Sequence, residues 1–206
     1  MTRGEGMRII RKSSEDEMIL EFLKAESASV RFSDELKKVF QEFGCDESIV
    51  LSADLQDAVE NRTRKRILGV FRGYGENREL FENFPDEFEW SLCSFSGADF
   101  ERIRYINYSY WNELSAGTHM PSDAAKTIRN GIRIYDVAND GFLQAAEHIK
   151  SGGRFPRLFF LTADYESFVI VEGHLRMTAY ALVPECFKEV EVIVGQCSRE
   201  KLERWI

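Results

Sequence analysis

The chain has no run of about 18 or more apolar residues, so no membrane span is expected. It has no Cys-x-x-Cys pair either. Cys45, Cys93, Cys186 and Cys197 are far apart, which argues against a zinc site or a disulfide scaffold and points to reduced, mostly buried thiols. Positive charge is in deficit. The net charge is −8, with 14 Lys and Arg against 19 Asp and Glu in residues 1–88, and 13 against 16 in the rest. Proteins that grip duplex DNA through their whole surface are usually basic, because phosphate contacts dominate that affinity; this chain would need a local patch. The start, Met1-Thr-Arg-Gly-Glu-Gly-Met7, lacks the apolar core of a signal peptide, so a cytoplasmic protein is expected. The glycosylation-like triplets at Asn61 and Asn107 then carry no meaning. No Pro/Ser/Gly linker, internal repeat or clear carboxylate cluster is present.

Apolar residues make up 44% of the chain and aromatics 13%, with 16 Phe, so an aromatic core is expected. Ser14-Glu-Asp-Glu17 has the form of a capping box, and Met18, Ile19, Phe22 and Leu23 follow at helical spacing, predicting a helix over about 15–26. Ser33 can cap a second helix that Gly44 ends. A third is expected from near Ala53 to Gly73. Its middle, Arg62-Thr-Arg-Lys-Arg66, is a basic cluster that reads first as a solvated helix face and second as a contact for nucleic acid. From Asp86 the pattern changes. Residues 89–95 and 100–106 alternate like strands. Helices are expected at 111–114, from Pro121 to Gly131, over 142–149, over 174–182 and over the last residues; strands are expected at 158–161, 168–171 and 190–194. The expectation is an α+β fold: a helical part over 1–85 and an α/β part over 86–206, with a small mixed sheet and flanking helices.

The stretch from Phe168 to Leu182 concentrates the functional signal. A strand ending at Glu172-Gly173 that feeds straight into a helix makes an anion site, because the first helical N–H groups are unpaired and the helix dipole adds positive charge. Gly173 lets the chain turn and lets a ligand approach the backbone. Arg176, one turn in, is placed to fork onto a phosphate. His174 is of a type that titrates near neutrality. Glu172 has three readings: a base, a metal ligand, or the partner of Arg176, with Leu175, Ala179 and Leu182 packing inward. Arg154, after Gly152-Gly153, is a further candidate phosphate contact. Trp90, Trp111, Trp205, Tyr105, Tyr108 and Tyr110 read first as packing aromatics.

Glu172-Gly-His-Leu-Arg-Met-Thr-Ala-Tyr180 resembles the signature of the ParB/sulfiredoxin superfamily, in which a strand ends in a Gly-x-x-Arg turn and enters a helix containing Ala. Residues 142–156 resemble the family's preceding helix, its glycine, and its Pro before the next strand; strand 190–194 resembles its closing strand. The likeness covers roughly residues 86–195. It implies a nucleoside triphosphate, ATP or CTP with Mg²⁺, held at Gly173, His174 and Arg176 with Arg154 nearby. It also implies Glu172 as metal ligand or base, and His174 assisting transfer or hydrolysis. Members of the superfamily include ParB-type nucleotide binders, sulfiredoxins, serine kinases and ParB-like nucleases. Sulfiredoxin repair needs a cysteine where this chain has His174, and is excluded. ParB has an acidic-Arg-Arg turn of which only Arg176 remains, and no helix-turn-helix module is expected in the twelve residues after Val194. Two other readings stand beside nucleotide binding: a non-catalytic interaction module whose N-terminal helices contact a protein or mask the turn, and a metal-dependent nuclease.

Overall fold

The structure, a computed structural model, describes residues 6–206. Most of the segment read for a signal core lies outside those residues. In chain order the elements are β1 (Arg8–Lys12), α1 (Glu15–Ser27), α2 (Ser33–Glu42), α3 (Ser48–Leu51), α4 (Ala58–Arg72), β2 (Glu89–Phe95), β3 (Ile103–Arg104), α5 (Ser109–Leu114), α6 (Pro121–Arg129), α7 (Asp140–Lys150), β4 (Leu158–Thr162), β5 (Phe168–Glu172), α8 (His174–Leu182), β6 (Val190–Gln196) and α9 (Arg199–Trp205). The fold is α+β. One mixed sheet has the order β1-β2-β6-β4-β5-β3. β1/β2, β2/β6 and β4/β5 are antiparallel, whereas β4/β6 and β3/β5 are parallel.

The apolar run Leu158-Phe-Phe-Leu161 is buried on both faces, as a central strand requires. Alternate residues then serve separate cores. Trp90, Leu92, Phe159, Leu161, Val169, Val171 and Ile193 face the helices α1–α4. Cys93, Phe95, Leu158, Phe160, Phe168, Ile170, Val192 and Val194 face α5–α8. Phe22 of α1 stacks on Phe159 of the sheet at 5.7 Å. Full burial of such a ring stabilises by about 1.5–3 kcal/mol. Residues before and after 86 therefore share one core, and the helices of the first part lie on the sheet.

Four local expectations change. β1 has no counterpart in the sequence reading; its five residues are all exposed, and it is held by main-chain pairing to β2. The expected strand 100–106 is instead a 3₁₀ turn over Gly97–Arg102, started by a Ser96/Asp99 capping box, and only two residues pair as β3. The third helix begins at Ala58, because Asp57 accepts from the Val59 and Glu60 amides. Ser33 is the first residue of α2 and makes no cap bond. Inside the basic cluster Arg64 is wholly buried. It donates to the carbonyls of Ile49 and Asp54 and pairs with Glu60, which ties the α3 region to α4. Lys65 pairs with Glu15, and Arg66 lies over Phe43. The cluster is thus largely spent on the helical layer itself. No helix among the described residues is long and apolar enough to cross a membrane.

Candidate functional site

Strand β5 leaves the sheet at Glu172, and Gly173 turns the chain into α8 with φ +97°. That left-handed angle favours glycine. A Cβ there would also lie 2.3 Å from a Leu158 methyl. The glycine is therefore required by its conformation and by its packing on β4. No side chain caps α8, and its first turn holds no acid. Among the described helices of eight residues or more, only α8 begins with neither. Leu175, expected inside, is 41% exposed.

Arg176 is buried. One terminal nitrogen donates to the carbonyls of Pro156 (2.7 Å) and Arg157 (3.0 Å), and the other to Glu172 (2.9 Å). Of the three readings of Glu172, the pairing with Arg176 is the one seen. The guanidinium expected to fork onto a phosphate braces the entry to β4 against the end of β5.

His174 is also buried. Its ring lies 4.9 Å from Trp111 and 5.9 Å from Tyr105, stacked on both. Thr178 Oγ1 donates to the His174 carbonyl, which leaves Tyr105 as the donor in its 2.7 Å bond to Thr178. Burial, and then the charges of Arg176 and Arg72, lower the His174 pKa to about 3. The ring is neutral at physiological pH, not poised near neutrality. Its Nε2 is buried without a partner. Trp111 and Tyr105, read as packing aromatics, do pack, and the ring they pack on is the first residue of α8.

Arg154 is exposed and makes no hydrogen bond or ion pair among the described residues. Its charge acts on the Tyr180 hydroxyl, further along α8. Among the described residues no three His, Cys, Asp or Glu side chains gather as metal ligands. The residues at the turn do not build a metal site around Glu172. Two surface depressions stand out, of about 560 Å³ beside Lys12, Lys65 and Trp90 and about 310 Å³ beside Phe100 and Arg129; neither is lined by the turn.

Two charged residues from the other face of the sheet act on the turn through their charge. Glu26 of α1 is 2% exposed and pairs with Arg72 of α4 at 2.5 Å. Burial raises its carboxyl to about 7, helped by the negative charge of Glu172, against the opposing pull of Arg72, Arg176 and Arg31. Glu26 therefore senses both charged residues of the turn, and His174 senses Arg72. In the sequence these two are a charged residue near the end of one helix and the last residue of another, with no signal linking them to a turn far along the chain. No family model, curated protein or solved structure matches this chain.

Proposed function

We propose that the protein binds the phosphate groups of a nucleoside triphosphate at the start of α8, in the manner of the ParB/sulfiredoxin superfamily that roughly residues 86–195 resemble. The observation that carries this reading is the bare helix start after Gly173. Its first amides lack a capping side chain, no carboxylate lies in the first turn, and an anion there would meet both the N–H groups and the helix dipole. The chemistry supported is binding. His174 is a neutral, packed ring, and Glu172 is engaged by Arg176, so neither stands free to move a proton. A divalent ion would come with the phosphates, since Mg²⁺ is commonly held through substrate oxygens and water.

Calorimetric titration of ATP and CTP, with and without Mg²⁺, tests this. Leu175→Asp is the matched variant. It puts a negative charge at the exposed first turn, where an acid favours the helix, so the fold is kept while an anion is repelled. Binding by the wild type and at least about tenfold weaker binding by Leu175→Asp is expected, a change of about 1.4 kcal/mol. Equal binding by both would move the site elsewhere. The exposed strand β1, with Ile9 and Ile10 turned to solvent, favours a second reading as a module that docks proteins by strand addition. It gains if no nucleotide raises the melting temperature.

A further inference from the structure

We propose that the open edge of β1 takes an acidic, extended segment of a partner protein as an added strand, with its carboxylates on Arg8 and Lys12. This rests on the strand-addition reading above, names the chemistry of the partner, and is independent of the phosphate reading.

The two edges of the sheet are finished differently. At the β3 edge only two residues pair, and the next amide, that of Tyr105, donates to the His119 carbonyl. At the other edge β1 pairs along its length with β2, and no described strand lies on its outer side. The main-chain groups on that side are open to an incoming strand. Arg11 donates to the Lys12 carbonyl, which closes the open stretch at that end. Arg8 stands opposite Ser94 and Ile9 opposite Cys93, so a cation and an apolar side chain lie on opposite faces. Ile9 is 52% exposed and Ile10 38%. A strand laid on this edge would cover them.

Charge selects the occupant. β1 holds three cations and no acid, in a chain of net charge −8. Arg11 is spent, since both its terminal nitrogens donate to Glu17. The Arg8 and Lys12 side chains have no hydrogen bond or ion pair among the described residues. Past Lys12 the surface turns acidic: Glu15, Asp86 and Glu89 border the depression there. The partner's carboxylates therefore belong over β1 itself. A second copy fits badly. Two β1 edges pairing antiparallel would set Arg8 of each against Lys12 of the other, and like charges directly opposite destabilise a pair. Edge cations and a bulge, here between Ile9 and Arg11, are also how sheets turn away unwanted strands. The same repulsion that rejects a copy or a basic strand makes the edge selective for an acidic one. The complement is a segment alternating acidic and apolar residues.

The experiment titrates the full chain with short, acetylated, fluorescent peptides alternating Glu and Val, Lys and Val, or Thr and Val. Anisotropy reports binding, and amide hydrogen exchange reports protection of β1. The Glu–Val peptide is expected to bind and to slow exchange across Arg8–Lys12. Its fully N-methylated form keeps the charge and loses the strand donors, and should bind at least about tenfold more weakly. The double variant Arg8→Gln, Lys12→Gln should also weaken binding at least about tenfold; neither side chain bonds within the fold, so the fold is kept. Protection of β1 by the Lys–Val or Thr–Val peptide at equal affinity, or undiminished binding of Glu–Val by the double variant, overturns the acidic partner and leaves strand addition standing. Binding that full N-methylation does not weaken, or no binding of any peptide at millimolar concentration, overturns both. Self-association of the chain that protects β1 without peptide makes a second copy the occupant and overturns the proposal.

Discussion

Helices α1 and α8 begin in opposite ways. Ser14 caps α1 by accepting from the Glu17 amide, and Glu15, Asp16 and Glu17 fill its first turn with negative charge. Two of those carboxylates are in turn engaged, Glu17 by Arg11 and Glu15 by Lys65 and Tyr74. The orphan amides and the dipole of α1 are thus satisfied within the chain. At α8 the corresponding position is Gly173, the first turn holds His174, Leu175 and Arg176, and the cation among them points its donors back to Pro156, Arg157 and Glu172. One helix start is finished locally. The other is rigidly built and left uncapped. A rigid element with unsatisfied donors is the arrangement a ligand site needs.

The largest effect on this contrast should come from Gly173→Ala. A left-handed angle costs a residue with a Cβ about 1–2 kcal/mol, and the collision with Leu158 adds about 1–3. A loss of about 4 kcal/mol is expected in denaturant unfolding. A loss under about 1 would mean that the turn is not built as described. Arg176→Met should follow, at about 3 kcal/mol, because it leaves two carbonyls and Glu172 without their partner. Were the variant fully stable but unable to bind nucleotide, Arg176 would be a ligand contact and not a brace.

Next is Glu26→Gln. Ionisation of Glu26 is disfavoured in the fold, where its carboxyl sits at about 7 against an ordinary 4.5. Its favourable share of stability is complete below about 4.5 and is lost as pH rises through 7. The variant should therefore match the wild type near pH 4.5 and exceed it by about 1–2 kcal/mol at pH 8, less than the full linkage value because Arg72 loses its partner. His174 has the opposite slope, since its depressed pKa makes stability fall as pH drops below 6.5; comparing variant with wild type at each pH cancels it. A difference that does not change with pH would remove Glu26 from the titrating groups. The smallest effect is Ser14→Ala, about 1 kcal/mol, with nucleotide binding untouched.

The elements most legible in the sequence were those with local punctuation. The Ser14 cap, Pro121 at the start of α6 and the apolar runs of β4 and β5 name their structures directly, although the Glu17 carboxylate turns to Arg11 and Ser13 and does not close the expected capping box. So did Gly173 at a strand end. β1 was illegible because its two isoleucines sit among cations and nothing beneath them is buried; its partner strand holds it, not its own pattern. The segment 100–106 misled because the Ser96/Asp99 capping box holds Gly97–Arg102 in a 3₁₀ turn, so the alternation of Arg and apolar residues pairs as strand only at Ile103 and Arg104. At the site, Glu172 to Arg176 were visible as a cluster, but their roles were not. Whether an arginine faces a ligand or a carbonyl depends on where Pro156 and Arg157 lie, and burial of His174 depends on Tyr105 and Trp111. The Glu26–Arg72 pair was equally illegible, because it forms only where α1 and α4 pack together on the sheet.

The uncapped start of α8 can be watched directly. In a two-dimensional amide NMR titration with ATP or CTP, the account predicts that the backbone amides of His174, Leu175 and Arg176 shift most and together. Shifts centred on the depression beside Lys12, Lys65 and Trp90, or none at millimolar nucleotide, would contradict it.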